Sequence, residues 1–233
     1  MSIAIALSLL VVTRLPVDDG LERPIHTAVT KGAPSEGIDG AFVRVRCAVY
    51  ADFAVVEHDD PGLRGAARVV VRPRAKDAPP ELACAAPSKA ERALSVEDAY
   101  VAGAHGPFVI LRGADGFGLA HRLVVVRADT GRTVVDLQAT SAPARFETKD
   151  GVTTLTTELV LSESCGSGKA CLDAARARGE VPKEARVDVT ARACRARADD
   201  GADLQVAVPA RVDDLAKPRV RVVDGVARCA ATP

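Results

Sequence analysis

Apolar residues recur at alternate positions or in short runs along most of the chain, and that period of two belongs to β-strands. Phe42, Val43, Val45, Cys47 and Val49 open the series. Phe53 to Val56 and Ala67 to Val71 continue it on either side of a turn signalled by Asp60-Pro61-Gly62. Tyr100 to Gly103 leads through His105-Gly106-Pro107 into Phe108-Val109-Ile110-Leu111. A glycine-rich loop, Gly113 to Gly118, then precedes Leu123 to Val126, and Asp129-Thr130-Gly131 turns the chain into Thr133 to Leu137. Apolar runs separated by turn residues at each bend predict a meander of short antiparallel strands. Val152 to Leu161 alternates threonine with apolar residues, as a strand with one wet face does. Ala185 to Val189, Leu204 to Val212 and Val220 to Val223 extend the series.

Helical periodicity is confined to two places. Gly168 to Arg178 is rich in Ala, Lys and Arg and is followed by Gly179, a stop signal. Ser88 to Ala93 offers a shorter helix, with Ser88 as cap and Glu91 at the capping-box spacing. Pro16 to Gly40 carries Pro, Gly and charge with little periodicity and reads as a linker or irregular lead-in. Arg74 to Pro87 reads as a Pro-rich connection. The expected fold is mainly β: antiparallel meander sheets, in a sandwich or propeller-like arrangement, with one or two short helices. Residues 1–15 are expected to be an export leader, 16–40 the linker, and 41–233 one β-rich domain, with 41–150 and 151–233 as alternative lobes.

Ile3 to Val12 is an unbroken run with Ser8 as its one weakly polar member. It fits the apolar core of a secretory signal and falls short of the ~20 residues that span a bilayer. No Lys or Arg precedes it, and Arg14, Pro16 and Asp18 stand where a small-x-small cleavage site would lie, so a buried strand is the alternative. The six cysteines bear on that choice. An even number spread along a chain with such a leader reads as a disulfide framework. Six cysteines allow 15 pairings, among which sequence does not choose. Pairing of neighbours is the expectation: Cys47 with Cys84, Cys165 with Cys171, and Cys194 with Cys229. Buried free thiols are the alternative. Zinc wants closely spaced pairs such as C-x-x-C, which the sequence lacks. Leader and cysteines together point to the periplasm or the extracellular space.

Charge alters little. Lys plus Arg and Asp plus Glu both number 31, so the chain lacks the net positive field of a general nucleic-acid binder. The local group Arg64, Arg68, Arg72, Arg74 and Lys76 reads as a solvated strand and turn. Aromatics are 3% of the chain and tryptophan is absent, which argues against sugar-binding and single-strand nucleic-acid surfaces built on stacking platforms.

The motifs that could carry chemistry fall short of it. Asp129-Thr130-Gly131 has the look of an aspartic-protease loop, but Arg132 follows it and a second such triplet is missing. Gly166-Ser167-Gly168-Lys169 resembles a phosphate loop, yet Glu163 and Ala170 occupy positions that motif assigns to Gly and to Ser or Thr. Ala33-Pro34-Ser35-Glu36-Gly37 lacks the first glycine of a nucleophile elbow, and a Ser-x-x-Lys pair is absent. His26, His58, His105 and His121 are scattered. Glu57-His58-Asp59-Asp60 is the densest group of ligand types, but neighbours on a strand point to opposite faces. Asp199-Asp200-Gly201-Ala202-Asp203 lacks the calcium-loop spacing. No cofactor and no metal is expected.

Two resemblances accompany this reading. Tyr100 to Leu137, with its paired Val-rich strands and Asp-Thr-Gly turn, resembles one blade of a β-propeller; propellers repeat such a blade ~4–8 times, and no further copies are found here. The layout as a whole is similar to uncharacterised exported bacterial proteins: leader, meander, cysteine-bearing helix and a closing Gly225-x-x-x-Cys229. That likeness implies an envelope or secreted location and no known activity. The leading expectation is a non-catalytic structural or protein-interaction protein of the envelope, partnered by another envelope or extracellular protein. Unpaired sheet edges or the meander face would be its contact surface. A secreted hydrolase is the rival, its groups assembled by the fold from His58 or His105 with Asp115 or Glu57. A small-molecule binding module, which needs a deep apolar pocket, is the third.

Overall fold

Two antiparallel sheets stacked face to face make up most of the protein, as the computed structural model shows for residues 18–85, 89–117, 119–161, 165–190, 194 and 204–231. The expected leader (1–15) and the acidic stretch Asp199 to Asp203 lie outside the described residues, as does the side chain of Asp115.

The first sheet runs in chain order, β1 (His26–Pro34), β2 (Phe42–Val49), β3 (Phe53–Asp59), β4 (Arg68–Pro73) and β5 (Arg92–Ala93), all antiparallel. Helix α1 (Pro80–Ala85) lies between β4 and β5 in sequence. β3 and β4 are buried along nearly their whole length, because both faces of this sheet are covered. On the outer face Cys47, Val49, Ala54, Val56 and Val70 pack against Ala83 and Cys84 of α1, and the Cys47–Cys84 disulfide pins the helix there.

The second sheet contains the expected meander, β6 (Ala99–His105), β7 (Phe108–Phe117), β8 (Ala120–Arg127) and β9 (Thr133–Ala139). It continues through β11 (Val152–Val160) to β13 (Leu204–Val212) and β14 (Val220–Val222), with β10 (Arg145–Lys149) beside β11 and β16 (Arg228–Ala231) beside β13. The sheet curls on itself: Phe108, Ile110, Leu123 and Val125 share a core with Phe146, Leu155, Val212 and Leu215. The opposite residues of the same strands, Val109, Leu111, Val124 and Val126, pack against Tyr50, Phe53, Val55, Val69 and Val71 of the first sheet. This alternation explains why the meander strands read as continuous apolar runs.

Helix α2 (Gly168–Ala177) is capped by Ser167, whose hydroxyl accepts from the Ala170 N–H, and ends before Gly179 at φ +76°. It buries Cys171, Leu172 and Ala175 against β13. A parallel pair, β12 (Val187–Asp188) with β15 (Gly225–Val226), closes this end. All three disulfides join sequence neighbours as expected, the other two being Cys165–Cys171 and Cys194–Cys229.

Several segments differ from the sequence expectation: β10, β15 and β16 fall where the pattern predicts no strand, and three further differences have a clear physical reason. β1 falls in the stretch that reads as irregular, because it is an edge strand whose side chains are mostly exposed. Arg92 and Ala93 form β5 rather than the end of a helix, and the short helix sits earlier, at Pro80–Ala85; Ser88 lies outside the described residues. Arg92 pairs with Val71 and Ala93 with Val70, so sheet pairing overrides the local capping signal. The glycine-rich stretch after Leu111 belongs to β7, which holds its pairing with β8 through a bulge between Arg112 and Gly116.

Candidate functional site

The place where the two sheets leave an opening is set by their edges. β1 ends the first sheet and β6 ends the second, and each has a strand neighbour on one side alone. Thr27, Ala28 and Val29 of β1 and Val101, Ala102 and Gly103 of β6 line one cavity of about 340 Å³. Its floor is the first sheet, with Ala48 of β2 and Val55 of β3, and Glu22 and Pro24 cross one end.

The two edges are finished differently. β6 carries a bulge at Ala102, between the pairs Val101–Leu111 and Gly103–Ile110. Its outward groups are taken up by the chain itself: Val101 N–H donates to Glu57 Oε2 at 2.6 Å, Ala104 C=O accepts from Glu22 N–H at 2.9 Å, and Gly106 N–H donates to Glu22 Oε1 at 2.7 Å. β1 is finished only at its far end, by Lys31, a register shift after it, and Pro34. From His26 to Thr30 it carries no Pro and no Lys, Arg, Asp or Glu, the devices that ordinarily blunt an edge. Val29 is 66% exposed and Ile25, just before the strand, 56%.

Electrostatics in the cavity come from a cross-strand network. Arg46 faces Glu57 across β2–β3, its Nε 3.4 Å from Glu57 Oε1, while its Nη2 donates to Asp59 Oδ2 at 2.8 Å. Arg44 also reaches Asp59. Glu57 is buried, and burial lifts its carboxyl above the ordinary glutamate value; the Val101 N–H and the Arg46 charge oppose that lift. Tyr50 follows β2 and is 4% exposed, its ring against Phe53 at 5.4 Å between centroids. Burial and then the charge of Glu22 raise its phenol above the usual value. Tyr50 and Glu22 both line the cavity. Among the described residues no hydrogen bond reaches the Tyr50 hydroxyl.

Among the described side chains, Glu57 and the two histidines proposed for hydrolysis are engaged in separate contacts. Glu57 points to the cavity side of β3, whereas His58 points away and lies among Arg68, Arg72 and Glu91; burial first, then the two arginines, lower its pKa. His105 is held by Gly20 C=O at 2.7 Å and by Thr148 Oγ1 at 2.8 Å, with its ring beside Phe146, so both nitrogens serve structure. Asp60 accepts from Ser35 Oγ at 2.5 Å and from Gly62 N–H at 2.9 Å, which fixes the turn it was expected to occupy. Asp129 pairs with Arg127 at 2.7 Å beside Gly131 at φ +70°, a hairpin turn. The basic group divides: Arg68 and Arg72 pair with Glu91, and Arg74 donates to backbone carbonyls. Among the described residues no cluster of three His, Cys, Asp or Glu side chains could hold a metal ion. Nor is any helix among them long and apolar enough to cross a membrane.

Sequence reasoning passed over Glu22, Tyr50 and the β1 edge. One signal was available: Tyr50 is one of two tyrosines in a chain almost without aromatics, and a buried tyrosine needs somewhere to put its hydroxyl.

These features define a disulfide-stapled, mainly β protein with one unprotected sheet edge beside a cavity. Comparison of the chain with protein-family models, with curated proteins and with solved structures returns no match.

Proposed function

We propose that this is a non-catalytic exported protein of the bacterial envelope or extracellular space, which binds another protein by accepting an extended segment along β1. The observation that carries the reading is the edge from His26 to Thr30, which lacks the usual blocking residues and runs beside the cavity. Backbone groups of an edge strand supply affinity to an added strand, and pockets for alternate side chains supply choice. The other edge that lines the cavity, β6, is already capped by Glu57 and Glu22, so at the cavity the incoming strand pairs with β1. Three disulfides and the absence of a spanning helix among the described residues are compatible with life outside the cytoplasm. The separation of His58 from Glu57 and the bound state of His105 speak against the hydrolase.

Strand addition is tested with isotope-labelled protein and a capped nine-residue peptide of alternating Val and Thr. Amide shifts confined to residues 25–30 and to the cavity wall are expected, and N-methylation of alternate peptide nitrogens should abolish them. Shifts indifferent to N-methylation, or no shifts at millimolar peptide, would overturn the reading. Export is tested separately, by the intact mass of the chain produced with its own N-terminal residues and alkylated before and after reduction. Loss of the N-terminal segment, with six thiols released only by reductant, is the expected result.

A further inference from the structure

We propose that the cavity beside β1 receives one lysine side chain of the added strand, an inference that rests on the strand-acceptor reading and names its specificity. The walls suit an alkyl stem: Val29, Val55, Val101 and the ring of Tyr50 are apolar and surround a space of about 340 Å³, at the small end of ligand pockets. The far end suits an ammonium. Tyr50 is 4% exposed as a residue, and its hydroxyl makes no hydrogen bond to the protein among the described residues, which leaves the oxygen able to accept one from a guest. Glu22, an exposed residue on the same lining, accepts from Gly106 N–H through Oε1 at 2.7 Å, and its other oxygen makes no hydrogen bond to the protein among the described residues. A lysine carries a point charge with three donors on a four-carbon stem. It can give one hydrogen to the phenol oxygen and another to that carboxylate oxygen while its methylenes cover the apolar wall.

Charge favours the same occupant. The lining carries two carboxylates, Glu22 and Glu57, and one cation, Arg46, which is already shared between Glu57 and Asp59. A carboxylate guest would meet Glu22 with no cation left to offset it. Arginine fits less well, since its planar fork seeks two oxygens of one carboxylate and one of the Glu22 pair is spent on Gly106.

The chain has no tryptophan and two tyrosines, so Tyr100→Phe leaves Tyr50 as the single strong emitter. In that protein, three capped peptides are titrated: alternating Val and Thr, with Lys, norleucine or Glu at the central position on the valine face. The lysine peptide should bind at least tenfold tighter than the norleucine peptide and change Tyr50 emission; the glutamate peptide should be weakest. Glu22→Gln keeps an oxygen for Gly106 and should erase the lysine preference. Equal binding of the lysine and norleucine peptides overturns the lysine site and leaves strand addition standing. Failure of all three peptides, even where hexylammonium alone perturbs Tyr50, overturns strand addition and the lysine assignment with it.

Discussion

Glu57 Oε2 accepts the Val101 N–H at 2.6 Å, a contact that joins the middle of one sheet to the edge strand of the other. The contact does two jobs. It caps a donor that would otherwise face the cavity from β6, and it holds a carboxylate in a buried place beside Arg46. Removing the side chain leaves the Val101 donor without a partner and Arg46 with Asp59 alone. Glu57→Ala should therefore cost about 1–3 kcal/mol, read from urea unfolding. Glu57→Gln should cost less, because an amide oxygen can keep the bond to Val101. Equal losses for the two variants would show that the hydrogen bond is not what the carboxylate contributes.

The same burial gives Glu57 a signature in pH. Its folded pKa lies above its unfolded value, so over the window between the two the folded protein binds more protons than the unfolded chain. Stability then falls as pH rises through that window, the opposite of a salt-bridged carboxylate. Unfolding free energies of wild type and Glu57→Gln, measured in steps from pH 4 to pH 8, should differ by an amount that grows against wild type as pH increases. A difference independent of pH would mean the carboxyl titrates alike in both states.

Asp18 and Arg112 tie the start of the described chain to β7. Arg112 reaches both oxygens of Asp18 and the carbonyls of Thr140 and Ala142, and Asp18 also accepts from Ala144 N–H at 2.8 Å. Asp18 is buried and Arg112 nearly so. Losing one member of a buried pair strands the other, at about 3–5 kcal/mol. For a chain of this length, Asp18→Ala should lower Tm by roughly 10 °C, with Asp18→Asn between it and wild type because it keeps an acceptor for Ala144. An unchanged Tm in Asp18→Ala would show that water replaces the carboxylate at no cost.

The elements legible in the sequence are those that alternate regularly, are buried on both faces or are marked by strong turns. Leu204–Val212, Phe42–Val49 and the strands around Asp129-Thr130-Gly131 lie where the apolar pattern places them. So does α2, whose start and stop residues are local. What the pattern concealed depends on distant partners. β1 alternates too weakly to be read because it is half a strand pair at an open edge, and its identity comes from β2. β5 is two residues whose state is fixed by Val70 and Val71. The candidate site shares that origin: Glu22, Tyr50, Glu57 and Val101 meet only because two sheets stack. The run Glu57 to Asp60, the densest group of ligand types in the sequence, could be discounted as a cluster in advance, by strand alternation alone.

The disulfides offer a graded test of what holds the chain together. Cys47–Cys84 closes a loop with sequence separation 37, and Cys165–Cys171 one with separation 6. In the loop-entropy description the first constrains the unfolded chain by about 4 kcal/mol and the second by about 2 kcal/mol. Double alanine substitutions should lower unfolding free energies in that order. The consequences should also differ in place. Cys84 sits in a short helix with no buried residue of its own, resting on the outer face of the sheet over β1, β2 and β3. Without its bond α1 should be lost first, and amide exchange should quicken along β2 and β3 before the meander is affected. Removing Cys165–Cys171 should instead loosen α2, which Leu172 and Ala175 still anchor on β13. Faster exchange in the meander after the Cys47–Cys84 substitution would show instead that the two sheets unfold as one unit, with the cavity between them opening only when both do.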